Sequence, residues 1–188
     1  MVPRKQGLIV NISSFGGQTY LFNVAYGIGK AAVDRMAVDC GIELKKQNVA
    51  CLSLMLGAVK TEKTSTLIGD QGDKMKIKGD PENKSMNISV NKIFGDAESV
   101  EFGGKIITHM ASNPKIMKYS CKVVTGADYA EKYNIKDIDG RKIHSHREIS
   151  SLGSQMLPKS IRQFAKYVPS SVKIPQFVID IATSKYYR

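Results

Sequence analysis

Two short apolar runs, Gly7 to Ser13 (GLIVNIS) and Val49 to Leu56 (VACLSLML), constrain this chain more than any other feature. Neither alternates polar with apolar residues, and both are rich in Val, Ile and Leu. Strands with that pattern are buried on both faces, as the strands of a parallel sheet are. Parallel neighbours cannot be joined by a tight hairpin and need a crossover, usually a helix. The residues between the runs supply one. From Val24 to Gln47, Ala25, Ile28, Ala32, Met36 and Cys40 recur at steps of three and four, and Val33, Ala37 and Leu44 widen the apolar face. Strand, helix, strand in that order is a βαβ unit, so the expected class is α/β. The apolar face of the helix is too wide for one neighbour. It points to cover on two sides, by its own sheet and by a partner subunit.

The rest of the chain extends this unit. Ser14 to Asn23 holds Gly16 and Gly17 and reads as a loop. Thr61 to Gly95 is polar, rich in Lys and Gly, and weakly periodic, so it reads as one long loop. Asp96 to Ala111 predicts a second helix, capped near Asp96 or Ser99, with Phe102, Ile106, Ile107 and Met110 on one side. Cys121 to Thr125 predicts a third short strand. Residues 1–140 read as one domain and 141–188 as a basic appendage. No internal repeat is present.

Length and composition narrow the class. At 188 residues and 42% hydrophobic content, the chain is one domain's worth and not a disordered segment. No run of 18 apolar residues occurs, and the apolar run near Met1 is too short for a secretory signal. Cys40, Cys51 and Cys121 fit neither a zinc site nor a disulfide framework, which predicts three reduced thiols in an intracellular protein. The net charge of +11 favours anionic partners. Lysine supplies most of that charge and no nucleic-acid motif appears, so a nucleic-acid partner is not expected. The apolar pieces Phe164 to Val168 and Ile174 to Ile181 lie among Lys and Arg. They read as a basic surface over a small packed tail, or as a peripheral membrane contact; breaks at Pro158, Pro169 and Pro175 favour the former.

The chemistry centres on Tyr26 and Lys30. Four apart on a helix, they project from one face about 6 Å apart along the axis. An ammonium beside a phenol favours the phenolate, which makes such a tyrosine usable for proton transfer near neutral pH. Ser13 or Ser14, ending the preceding strand, can place a hydroxyl beside it. The Tyr-x-x-x-Lys spacing alone carries little, because eight Tyr among so many Lys give roughly one such pair by chance. The context carries it: a helix start, after a buried strand ending in Ser-Ser, before a second strand and a Gly turn. His144-x-His146 has no third ligand nearby in sequence, so it reads as a solvated loop pair and no metal site is expected.

Those segments, GLIVNISS, Tyr26-Gly-Ile-Gly-Lys30-Ala-Ala and VACLSLMLGAVKT, resemble the catalytic half of the short-chain dehydrogenase/reductase superfamily. The segments NPKIMKYSCKVVTGADYAEKYNIKDIDGR and YVPSSVKIPQFVIDIATSKYYR extend the resemblance over essentially the whole chain. It implies the C-terminal part of a Rossmann-type, doubly wound parallel sheet, incomplete in these residues. It also implies an NAD(P)H-dependent carbonyl reductase acting on ketones, including steroid-like and xenobiotic ones. Tyr26 matches the proton donor, Lys30 the residue that holds the nicotinamide ribose hydroxyls, and Ser14 the residue that hydrogen-bonds the substrate oxygen; Ser13 is the weaker match. Thr61 matches the residue that touches the nicotinamide carboxamide, and Gly57 and Val59 lie on the same cofactor-facing turn. Residues 61–95 match the substrate lid. The resemblance further favours NADP(H) over NAD(H), assembly as a homo- or hetero-oligomer through the 24–47 helix, and the endoplasmic reticulum.

Departures from the family pattern shape a second expectation. The family's Pro-Gly is Leu56-Gly57 here, and Lys122 stands where the family often has Gly, with no consequence expected. No Gly-x-x-x-Gly-x-Gly turn precedes the first strand, and the Asn-Ala-Gly segment and the helix bearing the family's catalytic Asn do not occur. A dinucleotide fold cradles the pyrophosphate at such a turn. The expectation is therefore an incomplete gene model or an isoform, inactive as given, with a non-catalytic interaction subunit as the alternative. A cofactor titration of these residues alone should show weak binding or none; micromolar affinity would overturn that expectation.

Overall fold

The computed structural model describes residues 1–71, 76–77, 88–89, 94, 97–149, 164, 167–169 and 171–184. Its centre is a parallel sheet of β1 (Gly7–Ser14), β2 (Val49–Leu56) and β5 (Val123–Thr125), in the order β1-β2-β5. The crossover between the first two strands is α1 (Val24–Leu44), extended by a 3-10 turn over Lys45–Gln47. Helices α2 (Glu62–Gln71), α3 (Val100–Ser112), α4 (Gly126–Lys132) and α5 (Gln176–Ser184) follow, with a small antiparallel pair, β3 (Lys76–Ile77) and β4 (Ile88–Ser89).

Each boundary has a local cause. Asn23 caps α1 by accepting the Tyr26 N–H at 2.9 Å. The helix run ends at Asn48, held in the left-handed region at φ 53°, which asparagine tolerates. Ser99 caps α3 by accepting the Phe102 N–H at 3.1 Å. Its own hydroxyl and N–H donate to Asp137. Burial works against ionisation of that carboxyl, but these donors, the Ile138 N–H and Arg141 outweigh it and hold Asp137 below the usual carboxylate range.

The sheet is covered on both faces. β1 and β2 pair over eight residues, from Gly7 opposite Val49 to Ser14 opposite Leu56. Leu52 and Leu54 point one way, into a core with Phe102, Ile106 and Met110 of α3 and Tyr129 of α4. Ser53 points the other way and donates to Asp34 of α1 at 2.6 Å. Alternate residues of one strand thus serve two helical layers, and β2 is buried almost throughout. β1 is only half-buried, and its outer edge pairs with no strand among the described residues. This is the open, doubly wound α/β arrangement that the two apolar runs predict.

Three expectations change in detail. The 61–95 stretch is not one loop: α2 forms because the Thr61 hydroxyl accepts the Thr64 N–H at 3.2 Å and the Thr61 carbonyl accepts from Ser65. A single capping threonine leaves no mark on hydropathy. Most of the remaining stretch lies outside the described residues. The third strand starts at Val123, because Cys121 takes a left-handed conformation at φ 62° while its N–H bonds to the Cys51 carbonyl. Described residues after Gly140 pack against the preceding part of the chain. Ile143 enters the core, Arg147 reaches Asp128 at 3.0 Å, and Lys173 bonds to Asp128 and Glu131. Pro175 does not break this region but stands just before α5, where the ring is tolerated. Among the described residues, no helix is long and apolar enough to cross a membrane.

Two glycines of α1 test this packing with opposite signs. Nothing lies within 4 Å of a Cβ built on exposed Gly29, so Gly29→Ala should stabilise the fold by about 1 kcal/mol through helix propensity. A Cβ on Gly41 would meet the Cys121 backbone N at 2.8 Å and the Cys51 carbonyl O at 3.0 Å. Gly41→Ala should therefore destabilise by about 1–3 kcal/mol despite the same propensity gain. Urea midpoints of the two variants, moving in opposite directions, are the expected result.

Candidate active site

At the carboxyl end of β1 the chain turns sharply. Ser14 caps a 3-10 turn, Phe15–Gly17, by accepting the Gly16 N–H at 3.2 Å. The same Ser14 Oγ lies 2.7 Å from the Tyr26 hydroxyl, on the first turn of α1. Gly16 permits this contact: a Cβ there would come within 2.4 Å of Tyr26 Cε1. One helical turn on, Lys30 Nζ donates to the Ile12 carbonyl at 3.1 Å and stands 5.9 Å from the centre of the Tyr26 ring. Phe22 closes the other side, its ring edge-on to Tyr26 with centroids 5.0 Å apart. It is held at φ 63°, a costly conformation for a bulky residue. Two hydroxyls in hydrogen-bond contact and an ammonium are thus fixed at one edge of the sheet.

Ser13, the other serine weighed from sequence, is turned away from this group. It is buried and its Oγ has no hydrogen-bond partner. Gly57, Val59 and Thr61 follow β2 at the same edge, because the register places Ser14 opposite Leu56. They form a separate cluster. Val59 bridges to Glu98, while the Lys60 N–H donates to the Glu98 carbonyl and the Glu98 N–H to Ala58. The Thr61 hydroxyl is engaged in capping α2.

Two residues of this region were not assigned to it from sequence. Glu98 is buried, accepts the Gly57 N–H, and leaves Oε1 without a partner. Burial, aided by nearby Asp137, pushes its carboxyl up to about 7. It ties the Gly57–Thr61 turn to the start of α3. His146 is the second. It is not a solvated loop residue, as the His-x-His reading expects: its ring packs 5.0 Å from Phe15, next to Ser14, and burial pushes it down to about 4. His144 pairs instead with buried Glu148 at 2.7 Å. His146 belongs to a segment that Arg147 and Lys173 tie to α4 through Asp128. Among the described residues, no three His, Cys, Asp or Glu side chains gather as metal ligands.

The short chain dehydrogenase family model matches residues 1–72, which include β1, α1 and β2. Dehydrogenase/reductase SDR family member 1 of Homo sapiens is 39% identical over 186 residues, covering 99% of this chain. The chain belongs to the short-chain dehydrogenase/reductase superfamily. The Mus musculus member 1 protein is 37% identical over the same length. The chain spans 56% of each of these relatives. Among solved structures, an actinorhodin polyketide ketoreductase variant with NADPH superposes with a TM-score of 0.50 at 18% identity. That superposition covers 66% of this chain and 47% of the ketoreductase, and it shows the shared Rossmann-type fold.

The buried acid beside the family's turn makes a pH prediction. In the folded chain Glu98 holds its proton up to about 7, whereas the unfolded chain releases it near 4.5. Stability contributed by the neutral acid is therefore present below 4.5 and lost as pH rises toward 7, by on the order of 3 kcal/mol. His146 acts in the opposite sense, weakening the fold as pH falls from 6.5 toward 4. The clean measurement is the difference between wild type and Glu98→Gln: urea stability of the variant should lack the loss between pH 4.5 and 7.

Proposed function

We propose that the protein is an NAD(P)H-dependent oxidoreductase that reduces carbonyl compounds to alcohols, with Tyr26 as proton donor. The single observation behind this reading is the 2.7 Å contact between the Ser14 and Tyr26 hydroxyls, with the Lys30 ammonium beside the same ring. A carbonyl oxygen accepting from both hydroxyls would be oriented by Ser14 and protonated by Tyr26. Lys30 would hold the ribose hydroxyls of the nicotinamide half.

The residues present fit that half of the cofactor. Lys30 Nζ projects at the strand end with the Ile12 carbonyl as its hydrogen-bond acceptor. The Gly57–Thr61 turn stands at the same edge, with Thr61 assigned to the carboxamide and Gly57 and Val59 to the ring's surroundings. The dinucleotide, when bound, supplies the hydride. NADP(H) is favoured over NAD(H), ketones of steroid-like and xenobiotic type are the proposed substrates, and residues 61–95 are the proposed lid, all on the family resemblance.

A second reading is favoured by a different observation. α1 exposes Val24, Ile28, Met36 and Ile42 on the face away from the sheet, with Val24 and Ile28 about two-thirds accessible. That face supports assembly with another copy or an intact homologue, and a non-catalytic subunit would use it without turnover. Exposed Phe164, Tyr167, Phe177 and Ile181, in a stretch of sequence rich in Lys and Arg, support a peripheral contact with the endoplasmic reticulum membrane. Residues 1–140 are proposed as the catalytic unit and 141–188 as an extension packed on it.

Ketone reduction by the chain, followed with NADPH and with NADH, tests the first reading. Tyr26→Phe should lower kcat/KM by about 100- to 10,000-fold with the far-ultraviolet dichroism unchanged. Undiminished turnover by Tyr26→Phe would overturn it. A chain that turns over no carbonyl with either cofactor, yet co-purifies with an intact homologue and loses it on Ile28→Glu, would establish the second reading instead.

A further inference from the structure

The amino ends of the strands, opposite the Ser14–Tyr26–Lys30 edge, carry a concavity. A cavity of about 690 Å³ opens where the last turn of α3, the turn that follows it, the residue before β5 and the end of α4 meet. Four lysines line it, Lys115, Lys118, Lys122 and Lys132, together with Tyr119 and Tyr133, and none of its lining residues is acidic. Among the described residues, none of the four makes an ion pair. The contrast lies on α4 itself: Asp128 and Glu131 are taken up by Arg147, Lys142 and Lys173. The acids of that helix are consumed elsewhere, and the cavity keeps its positive charge.

The cavity wall is pre-organised. Asn113, nine-tenths buried, donates to the Tyr129 and Tyr133 hydroxyls at 3.0 and 3.1 Å, and its Oδ1 accepts the Lys115 N–H at 2.9 Å. The Tyr119 and Tyr133 hydroxyls stand 3.1 Å apart, and Lys132 donates to Tyr119 at 2.9 Å. His109 packs against the Tyr133 ring with centroids 4.5 Å apart. The hydrogen bonds that Tyr133 receives from Tyr119 and Asn113, with Lys132 and Lys115 nearby, hold its phenol below the usual tyrosine range. Unpaired like charges gathered in a concave surface repel one another and attract a compact counter-anion.

We propose that this cavity binds a phosphoryl-bearing ligand, a phosphomonoester or diphosphate, at a site distinct from the catalytic edge. Several point-like ammonium donors suit a group that carries two or more charges on a cluster of oxygens, whereas a single carboxylate could answer only one or two of them. Lys122, which replaces the family's frequent Gly, adds one of the four charges.

The probe is inorganic pyrophosphate, titrated calorimetrically into the full chain at low and at physiological salt. Three proteins are compared: wild type, the triple variant Lys115→Gln, Lys118→Gln, Lys122→Gln, and a charge-matched triple Lys5→Gln, Lys45→Gln, Lys46→Gln. All six lysines lie outside the catalytic edge. The first triple should weaken binding by about tenfold or more, the second by less than about twofold. A second readout uses Tyr133: bound pyrophosphate disfavours the phenolate, so the tyrosine ultraviolet titration should shift to higher pH in wild type and not in Tyr133→Phe. A parallel arm uses phosphatidic acid vesicles against phosphatidylcholine vesicles. Binding to the former alone, abolished by the first triple, identifies a lipid headgroup as the source of the phosphoryl group. No binding in either arm, or equal losses in the two triples, would overturn the proposal.

Discussion

Everything at the catalytic edge depends on the eight-residue parallel pairing of β1 with β2. A strand has a side-chain period of two, so a slip of one residue would exchange its faces. Here β2 is apolar on one face and carries Ser53 on the other, where Asp34 of α1 waits for it. The register is therefore fixed by chemistry on both sides at once. With it are fixed the positions of the two strand ends, and with those the loop bearing Ser14 and the turn bearing Gly57. Parallel pairing also obliges the crossover helix to start at the carboxyl edge, which is why Tyr26 and Lys30, on its first turns, meet the end of the strand that precedes them in sequence.

Close approach then does what pairing alone cannot. The Tyr26 ring lies against a glycine, with no room for a methyl group between them. The Ser14 hydroxyl both caps its own turn and meets the phenol, so one side chain sets the loop and the site together. Phe22, held in a left-handed conformation, bounds the ring on its other side. The outer edge of β1 and the outer face of α1 stay uncovered among the described residues. The chain spans 56% of each of its two member 1 relatives, and the proposed function places another copy or an intact homologue against the face of α1.

Legibility in the sequence followed the range of the forces involved. Burial on two faces leaves an uninterrupted apolar run, so β2 could be read directly; β1 was read as a strand from the same pattern but is only half-buried among the described residues, and a three-to-four residue period gave α1 almost to the residue. Ser99 was legible as a cap because capping is local. Helix α2 was not, since a lone threonine cap in a polar stretch leaves no hydropathic trace. Pro175 misled for a related reason: proline breaks a helix from within yet starts one well, and composition does not distinguish the two. Glu98 gave no signal and His146 was misread as solvated, because a carboxyl or an imidazole is buried only by neighbours distant in sequence.

The sequence by itself determined the α/β class, the crossover unit, and the pairing of a tyrosine with a lysine one turn later, because each of these is set by residues within a helix turn or a strand repeat. Tertiary structure set the Ser14 hydroxyl, the one the family resemblance favours over Ser13, 2.7 Å from the phenol. It also decided that Cys40, Cys51 and Cys121, far apart in sequence, become neighbours that help push the buried Cys51 thiol up, and that four lysines gather without a carboxylate among them. Those facts depend on which strand end faces which helix and on where each side chain's partner happens to be consumed. That information exists only once the chain has closed on itself.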